Sequence, residues 1–413
     1  MRKDMLVKKK FVLNTLLILL ATGIAFGFAT TSNVSGAQDR SVYELAQAVP
    51  AWHQVNSNGF GDPQTVEVTA LEVFKGYLYA GTHHPVNPIL TYDGAQIFRS
   101  PDGVAWTPVT QPGFHDPHDS KPPAILDLVV FNGYLYASTG RGNAAQIWRS
   151  LDGAIWAPMV AAGFGDPDNV DITALAAYNN KIYAGVANSN TGAQIWRSST
   201  GDNAVGSWTK VAPGAGMAAT RITGFAAFNS ALYAALESTG SVQIWSSSSG
   251  DLNTWATSVN NGFGDSNNTS AGGMAVFGGY LYVGAGNSVD GARLYRTNNG
   301  TSWGQAITPG FGDPNNQKVE TVFVFQNQLY VSVKNAVTGM ELWRSPDGTL
   351  WERANQDGFG DSNNSGSNWS NATADFLSHL YVGTSNIVTG GELWRMVQPG
   401  VLSVYIPLSR RSP

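Results

Sequence analysis

Four of the chain's six histidines, His83, His84, His115 and His118, fall in two neighbouring stretches, with Asp116 and Asp119 alongside. The stretches are "GTHHPVNPILTYDGAQ" and "GFHDPHDSKPPAI", each longer than its counterparts elsewhere in the sequence. Imidazole and carboxylate groups brought together from two loops can hold zinc or another divalent metal. His83, His84, His115, His118 and Asp116 are therefore the candidate metal ligands. No helical spacing fixes their geometry, and exposed histidines in a polar rim are the alternative.

A second set of residues varies in chemistry at one fixed place. Seven positions before the recurring aromatics Phe74, Phe131, Tyr178, Phe228, Phe277, Phe325 and Phe376 stand Glu67, Ala124, Asp171, Arg221, Ser270, Lys318 and Trp369. The next position is mostly Val or Ile. Acids, bases and one indole at a single varied position suit a pocket for a polar ligand, with a sugar stacking on Trp369. Glu67, Asp171, Arg221, Lys318 and Trp369 are the candidate ligand-binding residues. The alternative is a water-filled channel mouth that tolerates any polar side chain. Glu237 and Glu320 are further acids expected near that face, and no catalytic residue is assigned.

The elements that must position these residues repeat. An apolar-aromatic-Arg step recurs as "QIFRS", "QIWRS", "QIWSS", "RLYRT", "ELWRS" and "ELWRM", with its aromatics at Phe98, Trp148, Trp196, Trp245, Tyr295, Trp343 and Trp394, spaced 48 to 51 residues apart. The tyrosine of "LY" or "IY" gives the same count of seven: Tyr79, Tyr136, Tyr183, Tyr233, Tyr282, Tyr330 and Tyr381. Each unit reads as four short strands rich in β-branched and aromatic residues between Gly, Asn and Asp clusters. Four strands at that period predict a β-propeller of seven blades, all-β throughout. The last unit lacks its fourth strand, and "AWHQV" near the front supplies one. The N-terminal segment is thus expected to complete the last blade and close the ring, removing an open sheet edge.

The turn before strand four, "RSPDGVAW", "RSLDGAIW", "RTNNGTSW" and "RSPDGTLW", resembles the Asp-box of sialidases and related propellers. It covers about eight residues per unit and is one residue shorter than the usual box. The strand "NGYLYAST" is similar to the second strand of kelch blades. The resemblance implies the architecture; Asp-boxes brace enzymes and binding proteins alike. It also raises a sialidase-like alternative, which needs three arginines around a substrate carboxylate. Non-repeated arginines are few: Arg141, Arg221, Arg293 and Arg353. A carboxylate pair such as Glu67 with Asp171 keeps other glycoside cleavage open.

Composition bounds the rest. Charged residues make up 13% and the net charge is −5, which argues against a nucleic-acid partner. Cysteine is absent, so no disulfide, thiolate metal site or thiol chemistry is available. Residues 1–37 start basic, continue apolar and offer small residues for cleavage, and predict a secretory signal peptide. A short lead (38–50), the propeller (51–398) and a tail (399–413) follow. The expected protein is a secreted or surface-exposed monomer without a membrane span after cleavage. It is expected to act as a binding or scaffold module for a glycan or another extracellular partner, with no cofactor certain and a divalent metal at the histidines left open. A glycoside hydrolase is the alternative.

Overall fold

The computed structural model describes residues 49–85, 94–115, 123–140, 145–188, 190–212, 219–238, 240–366 and 372–397. The expected signal peptide, nearly all of the lead and the tail lie outside them. The described chain is all-β, and its helical segments are single 3-10 turns, most of them at the "GFGD" motif. None is long and apolar enough to cross a membrane.

The strands pair in antiparallel groups of four that follow the sequence repeat. Asn169–Tyr178, Lys181–Asn188, Gln194–Ser198 and Trp208–Ala212 form one such group, and Ala219–Phe228 to Ala256–Val259 the next. Two-residue turns join the first two strands. Lys75-Gly76, Asn132-Gly133 and Asn179-Asn180 all take the left-handed backbone that a tight hairpin of this hand requires. The last group joins Thr373–Phe376, His379–Ser385 and Leu393–Val397 to Ala51–Gln54. Trp52 sits opposite Met396, and His53 opposite Arg395.

Six of the groups are held by three aromatic rings, the exception being Ala219–Phe228 to Ala256–Val259, whose preceding turn lacks the "GFGD" phenylalanine. In the second group, Phe114 stacks on Trp148 with centroids 4.7 Å apart and meets Trp156 edge-on at 5.9 Å. The same trio recurs as Phe164, Trp196 and Trp208, and as Phe311, Trp343 and Trp351. In every such motif the Phe of "GFGD" takes a left-handed backbone, with φ 55 to 62°. That conformation costs on the order of 1 kcal/mol for a side-chain-bearing residue, and ring burial offsets it. The motif's aspartate caps the following turn, as where Asp166 Oδ1 accepts from the Asp168 N–H at 3.0 Å.

Neighbouring groups lock through tyrosine. The buried Tyr79 points its hydroxyl at Gly153 in the next group's turn, where a Cβ would lie 1.9 Å from the oxygen. Tyr136 meets Gly201, Tyr183 meets Gly250, Tyr233 meets Gly300 and Tyr282 meets Gly348 in the same way. Tyr381 of the last group meets Gly103 of the first. The turns themselves are braced by serine and aspartate: Ser150 Oγ donates to Asp152 Oδ1, which also accepts from the Ala154 and Ile155 N–H groups at 2.9 Å.

First strands stand side by side in chain order from Glu67–Phe74 to Asn316–Phe325, and Thr373–Phe376 lies against Glu67–Phe74. A cavity of about 270 Å³ runs among them, lined by Leu71, Asp127, Leu175, Phe225, Met274, Val322 and Thr373, one residue from each first strand, among others.

Candidate functional site

The varied position falls at one register point, where the start of a first strand faces the end of a second. Glu67 pairs with His83, Ala124 with Gly140, Asp171 with Ala187, Arg221 with Glu237, Ser270 with Gly286, and Lys318 with Lys334. Directly opposed residues point to the same face of a sheet. The side chains therefore meet in pairs of defined chemistry. Glu67 and His83 approach to 3.6 Å. Arg221 donates from Nη2 to Glu237 Oε2 at 2.8 Å and from Nε at 3.3 Å.

Glycine decides how these side chains lean. A Cβ on Gly140 would lie 2.4 Å from Asp171 Oδ1, so the aspartate bends over that glycine. A Cβ on Gly286 would lie 3.1 Å from Lys318 Cγ and 2.1 Å from Ser270 Oγ. The lysine stem thus reaches back across the preceding group. Desolvation lowers the Lys318 pKa; Glu320 opposes this, and Arg221 adds to it.

Glu320, two residues on, is the most unusual group. It is buried, and neither carboxyl oxygen has a hydrogen-bond partner among the described residues. Burial raises its pKa to about 7 against the pull of Lys318 and Lys334, with Glu67 adding to the rise. Thr69 and Thr173 hold the equivalent place in other groups, and each donates to a backbone carbonyl of the next first strand, Ile125 and Ile222. At Glu320 the side chain instead packs on Gly366, with a Cβ there meeting Glu320 Oε2 at 1.7 Å. Inside the cavity, burial raises Glu72 to about 7 as well; the Val73 N–H opposes the shift and Asp127 adds to it. Asp127 bridges two first strands by accepting from the Leu175 N–H at 2.6 Å.

The candidate metal ligands are only partly described. His118 and Asp116 lie outside the described residues, as does Trp369, and the described part of His115 is backbone. His84 has a structural partner. Its Nε2 lies 3.1 Å from Asp62 Oδ2, in the place where Asn188 reaches Asp166, Asn287 reaches Asp265, Asn335 reaches Asp313 and Asn386 reaches Asp361. Histidine here replaces the asparagine of the repeat. Among the described residues no cluster of three or more His, Asp or Glu side chains could hold a metal ion.

The count that gave Trp369 is displaced. Twelve residues separate Asn364 from Phe376, against nine between Asn316 and Phe325, so the last group carries an insertion there. The register puts Ser365, opposite Ser385, at the equivalent place. Lys334 escaped the sequence reading because it sits on a second strand. Counting outward from the two-residue turn between Phe325 and Gln328 puts Asn335 opposite Lys318, and an irregularity between Val319 and Thr321 shifts the register by one to bring Lys334 there.

The non-repeated arginines do not gather. Arg293 pairs with Asp290 at 2.7 Å, and Arg353 with Glu341 at 3.0 Å. Arg141 lies outside the described residues.

No protein-family model matches the chain, and no curated sequence does. Solved structures resemble it in fold. A polysaccharide lyase, the PL25 ulvan lyase, is 13% identical, with 82% of this chain and 94% of that one covered and a TM-score of 0.50. A puromycin-hydrolysing peptidase of Mycobacterium tuberculosis is 11% identical, with 84% and 54% covered and a TM-score of 0.53. The chain spans about half the length of that peptidase.

Proposed function

We propose that the chain is an exported seven-bladed β-propeller that binds a glycan or other extracellular ligand at the varied ring of first-strand residues. The seven-blade reading is supported by the seven lining strands of the central cavity. It is supported too by the pairing of Ala51–Gln54 with Leu393–Val397 and the Tyr381–Gly103 contact. Export rests on the basic and apolar start of the sequence.

The observation that carries the binding reading is the contrast between two adjacent positions. Val68, Ile125, Ile172, Ile222 and Val319 are core residues. One residue earlier, the chain presents Glu67, Ala124, Asp171, Arg221 and Lys318. Packing dictates the one position, whereas the other varies in charge and size, with Glu67 and Ala124 buried and Asp171, Arg221 and Lys318 half-buried. The ulvan lyase of similar fold acts on a polysaccharide, which is compatible with a glycan ligand here.

A glycan array on the purified chain tests this reading. Defined glycans are expected to bind, and Glu67→Gln and Asp171→Asn to lose that binding without loss of folding. A blank array, or binding indifferent to both substitutions, would reject it.

Glu320 favours a second reading, cleavage of a glycosidic bond. A carboxyl that keeps its proton to about 7 near a second carboxyl group, Glu67, is the equipment of a general acid. Hydrolysis of a fluorogenic glycoside, abolished by Glu67→Gln or Glu320→Gln, would establish it.

A further inference from the structure

The ring is not uniform in charge. Ser270 and Gly286 leave one group without a large side chain at the varied register. The group before it presents Arg221 opposite Glu237, and the group after it presents Lys318 opposite Lys334. Lys318 leans over Gly286, toward the arginine side. The result is a small floor partly covered by the Lys318 stem, with Lys318 and Lys334 on one side and the Arg221–Glu237 ion pair on the other.

The charge on the lysine side is poorly neutralised from within. Like charges directly opposed on paired strands repel, and Lys318 and Lys334 are so placed. Glu237 is already engaged by Arg221. Glu320 is the remaining carboxyl beside the lysines; it is buried and makes no hydrogen bond among the described residues. Burial keeps it largely protonated up to about 7. An anion entering the gap would relieve the repulsion and supply acceptors to a desolvated ammonium. Three groups away, the small-floored place of Ala124 with Gly140 has the opposite character: Asp171 leans over it, and Glu67 stands on the group before it.

We infer that the gap over Ser270 and Gly286 is an anion subsite, in which Lys318, Lys334 and Arg221 receive a carboxylate or sulfate group of an acidic polysaccharide. The inference rests on the ring being a glycan site and adds the charge class of the glycan. The acidic gap on the far side excludes a second anion there, so the ligand is oriented with its charged group toward Lys318.

Calorimetric titration of the purified full chain with polygalacturonate, dextran sulfate and neutral dextran tests it. At least one acidic polymer is expected to bind at least about tenfold more tightly than dextran, and the better of the two tells carboxylate from sulfate. Lys318→Met keeps the stem and removes the charge. It is expected to weaken binding of the acidic polymer about tenfold, with the melting temperature unchanged or raised. Lys334→Met repeats the test should the first variant fold poorly. Equal affinity for dextran and the acidic polymers, or lysine variants that bind like the parent, would overturn the subsite. If neutral glycans still bind and Glu67→Gln weakens them, the ring reading survives that failure. A chain that binds no polymer and gives a blank array loses both.

Discussion

Trp52 lies edge-on against Phe359, with ring centroids 5.1 Å apart, and completes a trio whose third member is Trp394, stacked on Phe359 at 4.8 Å. In every other trio the edge-on ring comes from the unit's own fourth strand, as Trp156 does for Phe114. Here it comes from the other end of the chain. Its Nε1 donates to the Ala354 carbonyl at 2.7 Å across 302 residues. The last group therefore has a complete aromatic core only when the two ends of the described chain have met.

Trp52→Ala should for this reason cost more than a partly exposed residue on a peripheral strand normally would. Loss of the ring leaves the Phe359 edge and the Ala354 carbonyl without their partners. A destabilisation of about 3 kcal/mol is expected, the lower end for loss of a large aromatic side chain. Chemical denaturation of the variant measures it. A change within about 0.5 kcal/mol would mean that the ends contribute nothing to one another's stability.

Gly103→Ala tests the junction between the last group and the first. Gly103 has φ 74° and faces the Tyr381 hydroxyl, with no room for a Cβ. Gly76 has a similar φ of 80° but open space around it. Backbone strain alone should cost each substitution about 1 kcal/mol. The excess for Gly103→Ala over Gly76→Ala measures the tyrosine contact, and about 2 kcal/mol more is expected. Equal effects in thermal melts would dissolve that contact.

Stability should fall with rising pH because of Glu320. Folded, the carboxyl keeps its proton to about 7, whereas the unfolded chain releases it near 4.5. Between those values the folded state binds more protons, so unfolding becomes easier as pH rises through that window. Below it the group is protonated in both states and contributes no pH dependence. The shift corresponds to about 3 kcal/mol in favour of Glu320→Gln above the window and to no difference at pH about 4. Denaturation curves of parent and variant at the two ends of the range give the difference. Glu72, raised for the same reason, adds a similar slope that survives in the variant.

His84 should be replaceable by the residue the repeat uses elsewhere. His84→Asn is expected to keep the bond to Asp62 and to leave the melting temperature within a degree or two. His84→Ala should cost about 1–2 kcal/mol by leaving the site unpaired. If asparagine proved as damaging as alanine, histidine would have a task beyond bracing the turn.

Sequence alone determined the repeat, its four strands, the tight turns and the identity of the strand that completes the last group. Those features are local. Hairpin turns need Gly or Asn within two residues, strands need alternating apolar side chains, and each copy confirms the next. The varied position was legible for the same reason, since Glu67, Asp171, Arg221 and Lys318 stand at a constant distance from a recurring aromatic. Trp369 shows the limit, because an insertion of three residues before Phe376 breaks the count. Only the tertiary structure decided what these residues meet. Lys334 comes opposite Lys318 through strand register, and Lys318 leans over Gly286 because that group has only Ser270 and a glycine there. Glu320 loses water because a neighbouring group packs on it through Gly366, not because of anything adjacent in sequence. Burial and charge pairing depend on which groups stand beside one another, and that is a property of the packed molecule.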